Sequence, residues 1–238
     1  MNGGSKLILK LLSFLAAILV GILVYLLTNL DIHIIIIIAS VLLIITLILF
    51  FHEKIAQFHR LSIIGIKKIE PKKADVISVK PKFLLEADEH IRILGASLKT
   101  FWLGSNPFID YLAQAGKRNV AITILLLNPE SKNIEKARDE NILIDTYKNR
   151  IRDSISQFKA FKQKNRIGRM ELYLYDDFPV WHMIIIDRKY AKISYYPYGK
   201  VSEGVPYYIF NNQGKYNLLE PFIIYFEKLQ ERSEKVEL

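Results

Sequence analysis

Two strongly apolar stretches, Leu7–Leu27 and Ile32–Phe51, occupy most of the first 51 residues of the chain. A helix needs about 20 such residues to cross roughly 30 Å of hydrocarbon, and both stretches reach that length. Only Thr28-Asn29-Leu30-Asp31 lies between them, so the sequence predicts a transmembrane α-helical hairpin over residues 1–52. The first stretch does not read as a cleaved signal peptide. It is too long for the apolar region of one, lacks a clear small-x-small cleavage site and runs straight into a second apolar stretch.

Cations set the expected orientation, because Lys and Arg close to a span resist translocation. Lys6 and Lys10 precede the hairpin, and Lys54, Arg60, Lys67, Lys68, Lys72 and Lys73 follow it, whereas the turn has none. Both termini are therefore expected in the cytoplasm. Cysteine is absent, which excludes disulfides, thiolate metal sites and cysteine nucleophiles. The formal charge of +9 resides partly in a basic membrane-proximal connector, residues 53–82, whose lysines suit anionic lipid headgroups at least as well as nucleic acid. Ile55, Phe58, Leu61, Ile63, Ile64 and Ile66 add an expected amphipathic extension there. Pro71 and Pro81 each push the preceding residue away from helix, and the domain boundary is expected between them.

Residues 83–238 have the length of one domain with its own core. Ile91–Gly95 reads as a short strand, Phe108–Ala115 as a helix ended by a Gly116 cap, and Val120–Leu127 as a strand covered on both faces. Ser131 is the expected cap of a long helix carrying Ile144, Tyr147, Ile151, Ile155 and Phe158 on one face. Further strands are expected at Met170–Tyr175, Trp181–Asp187, Lys192–Tyr196 and Tyr207–Phe210, and a closing helix at Asn217–Arg232. The fold class expected is thus a membrane hairpin plus a cytosolic α/β layered domain.

The order of these elements, with Ile93-Leu94-Gly95-Ala96-Ser97-Leu98, Asn128-Pro129-Glu130-Ser131 and Trp181-His182-Met183-Ile184-Ile185-Ile186-Asp187 at the expected places, resembles one half of the phospholipase D-like superfamily. The resemblance implies a mixed sheet with flanking helices. The active-site pattern of that family is His, one spacer, Lys, four residues and Asp. Anchored on Asp187, it puts Val180 where the nucleophile stands and His182 where the lysine stands. Covalent phosphotransfer needs both groups, so the resemblance implies a binding domain and not an enzyme.

What remains suits a phosphate-bearing ligand: Ser97, Lys99 and Trp102 after the first strand, His182 on a core strand, and Ser194, Tyr195 and Tyr196 at pocket positions of the family. Lys189, Arg150 and Arg152 would add charge. Aromatic faces stack on bases while hydroxyls and cations hold phosphates. Each residue also has a plainer reading, Trp102 as core, the tyrosines as strand faces, Ser97 as a turn and His182 as an interior histidine. Asp176-Asp177 before Phe178-Pro179 reads as an acidic turn, and no histidine spacing, phosphate loop or serine elbow supports a metal, a cofactor or hydrolysis.

A two-span hairpin with a catalytically empty ligand-binding domain also resembles membrane effectors of bacterial antiphage defence. That resemblance implies a homo-oligomeric channel or membrane-disrupting protein, a tetramer as the best estimate. It further implies gating by a nucleotide or single-stranded oligonucleotide, and partnership with a ligand-synthesising enzyme. A membrane-tethered phosphodiesterase using His182 and a passive anchored scaffold are the alternatives.

Overall fold

The computed structural model describes residues 20–21, 36–37, 39–49, 51, 65–70, 82–102, 107–137, 141–196, 205–212 and 217–238. The chain divides into two units, Met1–Phe58 and His59–Leu238.

In the first unit, residues 36–37, 39–49 and 51 are helical, with large apolar side chains facing outward: Ile37 is 62%, Leu43 61% and Leu49 67% exposed. The hydroxyls of Ser40 and Thr46 donate to the carbonyls of Ile36 and Leu42, four residues earlier, at 2.7 and 2.8 Å. Both hydroxyls are thereby satisfied within their own helix. Among the described residues, no helix is long and apolar enough to cross a membrane. Most of Leu7–Leu27, the turn after it, the amphipathic extension before Gly65 and both connector prolines lie outside the described residues.

The second unit is built on an eight-stranded mixed sheet: β1 (Ile66–Glu70), β2 (His90–Gly95), β3 (Ala121–Leu127), β4 (Met170–Tyr175), β5 (Trp181–Ile186), β6 (Tyr190–Tyr195), β7 (Tyr207–Asn211) and β8 (Glu234–Val236). Their order across the sheet is β1-β7-β6-β5-β2-β3-β4-β8. β2, β3 and β4 run parallel, and every other neighbouring pair is antiparallel. The helices are α1 (Pro107–Lys117), the single turn α2 (Ile134–Ala137), α3 (Ile144–Asn165) and α4 (Leu219–Glu231), with short 3-10 turns at Lys82–Glu86 and Lys99–Trp102.

Residues opposite one another on adjacent strands point to the same face of the sheet. One face takes α4, whose Phe222 meets the Trp181 ring at 5.3 Å and the Phe210 ring at 5.4 Å. The other takes the turn Lys99–Trp102, whose Phe101 lies against His182, while Trp102 packs on α3. Ile122, Ile124, Leu125, Leu126 and Leu127 of β3 are completely buried, as an apolar run covered on both sides requires.

Three local expectations are corrected. Gly116 does not end α1 but lies inside it. A Cβ there would come within 2.8 Å of Ile167, so close approach is what excludes a side chain, and the left-handed residue is Asn119 (φ 65). Ser131 does not cap the long helix. Its hydroxyl donates to the Asp176 carbonyl at 2.9 Å and accepts the Asn133 amide at 3.2 Å, ahead of α2, and α3 begins at Ile144 without a side-chain cap. Ile66–Glu70, assigned to the connector from sequence, is an edge strand of the sheet.

Candidate functional site

In α/β sheets ligands sit beyond the carboxyl ends of parallel strands. The carboxyl ends of β2 and β4 meet the start of β5, the end of β6 and the start of β7 along one edge here. His182 lies at the centre of this edge. Its Nδ1 is 3.3 Å from the Tyr207 hydroxyl, and its ring is edge-on to Phe101, Tyr196 and Tyr207 at centroid distances of 6.2, 6.3 and 5.8 Å. Ser194, its partner across the β5–β6 ladder, shares its face. The Tyr196 hydroxyl accepts the Ala96 amide at 3.0 Å, and the Tyr175 hydroxyl donates to the Gly95 carbonyl at 3.3 Å. Burial pushes the Tyr196 phenol up to about 12, so it stays protonated near neutral pH. Gly95 lies next to His182: a Cβ there would collide with the Leu98 side chain and lie 3.4 Å from the imidazole.

The residues named from sequence fall into distinct places. His182, Ser194 and Tyr196 do come together, with Ser97 and Lys99 half-buried just after β2. Tyr195 does not join them. Its partner is Trp181, so it lies on the α4 face, 39% exposed. A one-residue step along a strand reverses the side chain's face, which the pattern Ser194-Tyr195-Tyr196 alone did not resolve. Lys189 is also absent from this edge. It sits in the turn at the far end of the β5–β6 hairpin, paired with Asp88 at 2.7 Å. Arg152 is exposed and bonded to Glu130 at 2.5 Å. Trp102 and Arg150 belong with α3: the Trp102 ring is 4.8 Å from Phe158 and 6.0 Å from Phe161.

Sequence reasoning missed two members of the central cluster. Lys192 shares a face with Ser194, is 1% exposed and holds its ammonium 4.6 Å from the centre of the Tyr207 ring. The sole sequence signal was a lysine inside an otherwise apolar strand. Tyr207 was read as a strand residue only. The floor of this edge is closed, with His182 5% and Ser194 0% exposed, and the Ser194 hydroxyl has no hydrogen-bond partner among the described residues. Ser97, Lys99 and Tyr196, which follow β2 and β6, are only partly buried.

Val180, where the sequence resemblance would put a nucleophile, is 40% exposed and its side chain offers only carbon. Asp187 instead has a scaffolding role. At φ 50 it turns its carboxylate to accept the amides of His90 (2.9 Å), Glu89 (3.0 Å) and Asp88 (3.2 Å). Burial works to raise this carboxyl, but the three amides and Lys189 outweigh it and hold it below the usual range.

A cleft of about 1000 Å³ lies at the opposite, amino-terminal edge of the parallel strands, between His90, Thr123, Lys162, Arg169, Glu171, Lys235 and Val236. Most of its polar groups already have partners: Lys235 holds Glu171 at 2.6 Å, Arg169 donates to the Asn119 carbonyl, and His90 Nε2 is 2.8 Å from the Thr123 hydroxyl. Volume and chemistry therefore point to different edges. The chemistry favours the carboxyl edge, because a buried polar atom without a partner is the rarer feature.

No family model matches the sequence, and no curated protein matches it. Among solved structures, the chain is similar to TrmBL2, an archaeal chromatin protein (16% identity, TM-score 0.46, covering 84% of this chain and 68% of that one). It is also similar to Nuc, a phospholipase D family member from Salmonella typhimurium (13%, TM-score 0.41, 72% and 97%), and to the phosphatidylserine synthase of Haemophilus influenzae Rd KW20 (10%, TM-score 0.47, 73% and 38%). Similarity at this level fixes neither activity nor substrate.

Proposed function

We propose that this chain is a membrane-tethered receptor for a phosphate-bearing ligand, a nucleotide or short single strand, on a phospholipase D-like domain without covalent catalysis. The observation that carries this reading is the carboxyl edge itself. A histidine, a buried lysine, an unpartnered buried hydroxyl and a neutral tyrosine gather there, while the nucleophile's position holds Val180. A phosphoryl oxygen would supply the acceptor that Ser194 lacks, and the ammonium of Lys192 favours an anion above it. In the finer form of this reading, several copies assemble through the apolar N-terminal segments as a channel or membrane-disrupting effector of bacterial antiphage defence. Ligand binding would then shift the equilibrium between two arrangements by a coupling free energy of about 1–3 kcal/mol per site.

The test is performed on full-length protein in detergent. Native mass spectrometry before and after nuclease treatment should report a homo-oligomer carrying nucleotide material, and short oligonucleotides should bind with an affinity that falls steeply with salt. Phosphodiester substrates should be turned over no faster by wild type than by His182→Ala. Turnover lost in that variant would establish the enzyme instead, and absence of nucleotide binding at low salt would overturn the receptor.

A further inference from the structure

The Tyr207 hydroxyl reaches His182 across an intervening strand. Tyr208 is opposite Ile193, so Tyr207 is level with Ser194, and Ser194 is opposite His182. The three residues therefore form one row across β7, β6 and β5, on one face of the sheet. Neighbouring strands lie about 4.8 Å apart, which puts the backbones of Tyr207 and His182 roughly 10 Å from each other. Their rings nevertheless meet, with centroids 5.8 Å apart and the hydroxyl 3.3 Å from Nδ1. The two side chains thus lean toward one another and arch over the residue between them. That residue is Ser194, 0% exposed, whose hydroxyl has no hydrogen-bond partner among the described residues.

The same phenol stands against the second group an anion would need. The Lys192 ammonium lies 4.6 Å from the centre of the Tyr207 ring, and Lys192 is 1% exposed. An ammonium can serve a ring face or an oxyanion, and its charge-assisted hydrogen bond to an oxyanion is the stronger interaction. Ring and ligand therefore compete for one cation, which supplies the differential interaction that a ligand-driven displacement requires. Tyr207 is also placed where the sheet opens at least cost. It is the first residue of β7, and its partner on the other side, Glu70, is the last of β1. Strand ends part before strand centres.

We propose that Tyr207 is a gate over the phosphate site. Its hydrogen bond to His182 closes the site in the free protein, and a phosphate-bearing ligand reaches Ser194 and Lys192 when the start of β7 carries the ring aside. This rests on the receptor reading above and adds its regulation. The closed arch accounts for a hydroxyl that is unpaired and yet shut off from water.

The experiment uses full-length protein in detergent, freed of nucleic acid by nuclease, and a short single-stranded oligonucleotide at low salt. Tyr207→Phe keeps the ring and removes the bond to His182. Apparent affinity scales with the fraction of molecules that are open, and one neutral hydrogen bond changes that fraction about two- to tenfold, so this variant should bind correspondingly tighter and associate faster. Equal affinity would make the tyrosine structural and weaker binding would make it a ligand contact; either overturns the gate. A second measurement needs no substitution at Tyr207. With isotopically labelled histidine, and the His182 signals assigned by their loss in His182→Gln, saturating oligonucleotide should move the Nδ1 resonance of the wild-type protein from that of a hydrogen-bonded nitrogen to that of an unbonded one. A resonance that stays in place at saturation overturns the gate. Binding by wild type without either effect removes the gate and leaves the receptor, whereas no binding by wild type or Tyr207→Phe removes both.

Discussion

The two ends of the β5–β6 hairpin are furnished in opposite ways. At the turn, Asp187 is saturated: three amides and Lys189 surround its carboxylate, and Arg92 donates to its carbonyl at 3.3 Å while holding Glu227. At the open end, about six residues away, Ser194 is equally buried and its hydroxyl has no partner among the described residues, beside an imidazole ringed by aromatics. Saturated polar groups stabilise a fold, and unsaturated ones cost it stability unless something else is bound. The hairpin thus has a saturated end, to which Asp187 belongs, and an unsaturated one, the end proposed above to be receptive.

Substitutions can break that contrast. Asp187→Ala strands three amide donors and should lower stability by about 3 kcal/mol or more, read as a drop in the denaturant midpoint; a loss under 1 kcal/mol would deny the turn its scaffolding role. The same carboxylate sets an acid limit. Its pKa is depressed in the folded state, so its contribution is complete above the unfolded value near 4 and disappears as the pH falls through the folded one. Asp187→Asn should flatten the stability profile in that range.

His90, at the same amino-terminal edge, is lowered to about 4, chiefly by desolvation and then by Arg92 and Arg169. Since the unfolded chain binds the proton from about 6.5 downward, stability should fall as the pH drops from 6.5 to 4. Melting curves across that window should lose this slope in His90→Asn.

Ser194→Ala tests the receptive end and should move stability by less than about 1 kcal/mol, if anything upward, while weakening oligonucleotide binding measurably. A large destabilisation would make the hydroxyl structural. Arg152→Ala breaks an exposed pair with Glu130 and should change neither the melting temperature nor the affinity, which fits its place outside the cluster.

Most strands of the domain were legible because their apolar runs are long and bounded by turns: Met170–Tyr175 was read to the residue, and β3 and β5 to within one. The edge strands β1 and β8 were not. Ile-Lys-Lys-Ile-Glu and Glu-Lys-Val carry too little apolar content to declare a strand, and they form one because a neighbour offers a ladder. Of the residues named through the resemblance, His182, Ser194 and Tyr196 come together in space. Lys192 and Tyr207, which pack with them, were not named there, because nothing local tells a buried polar residue from a solvated one.

By itself the sequence determined the two apolar stretches and the absence of cysteine, both matters of which atoms are present. Tertiary structure decided which of those atoms meet. Strand pairing put Lys192 and Ser194 on one face and Tyr195 on the other and sent Lys189 to the far end of its hairpin, and packing left the Ser194 hydroxyl buried without a partner among the described residues, since facing direction and burial arise only when strands and helices pack.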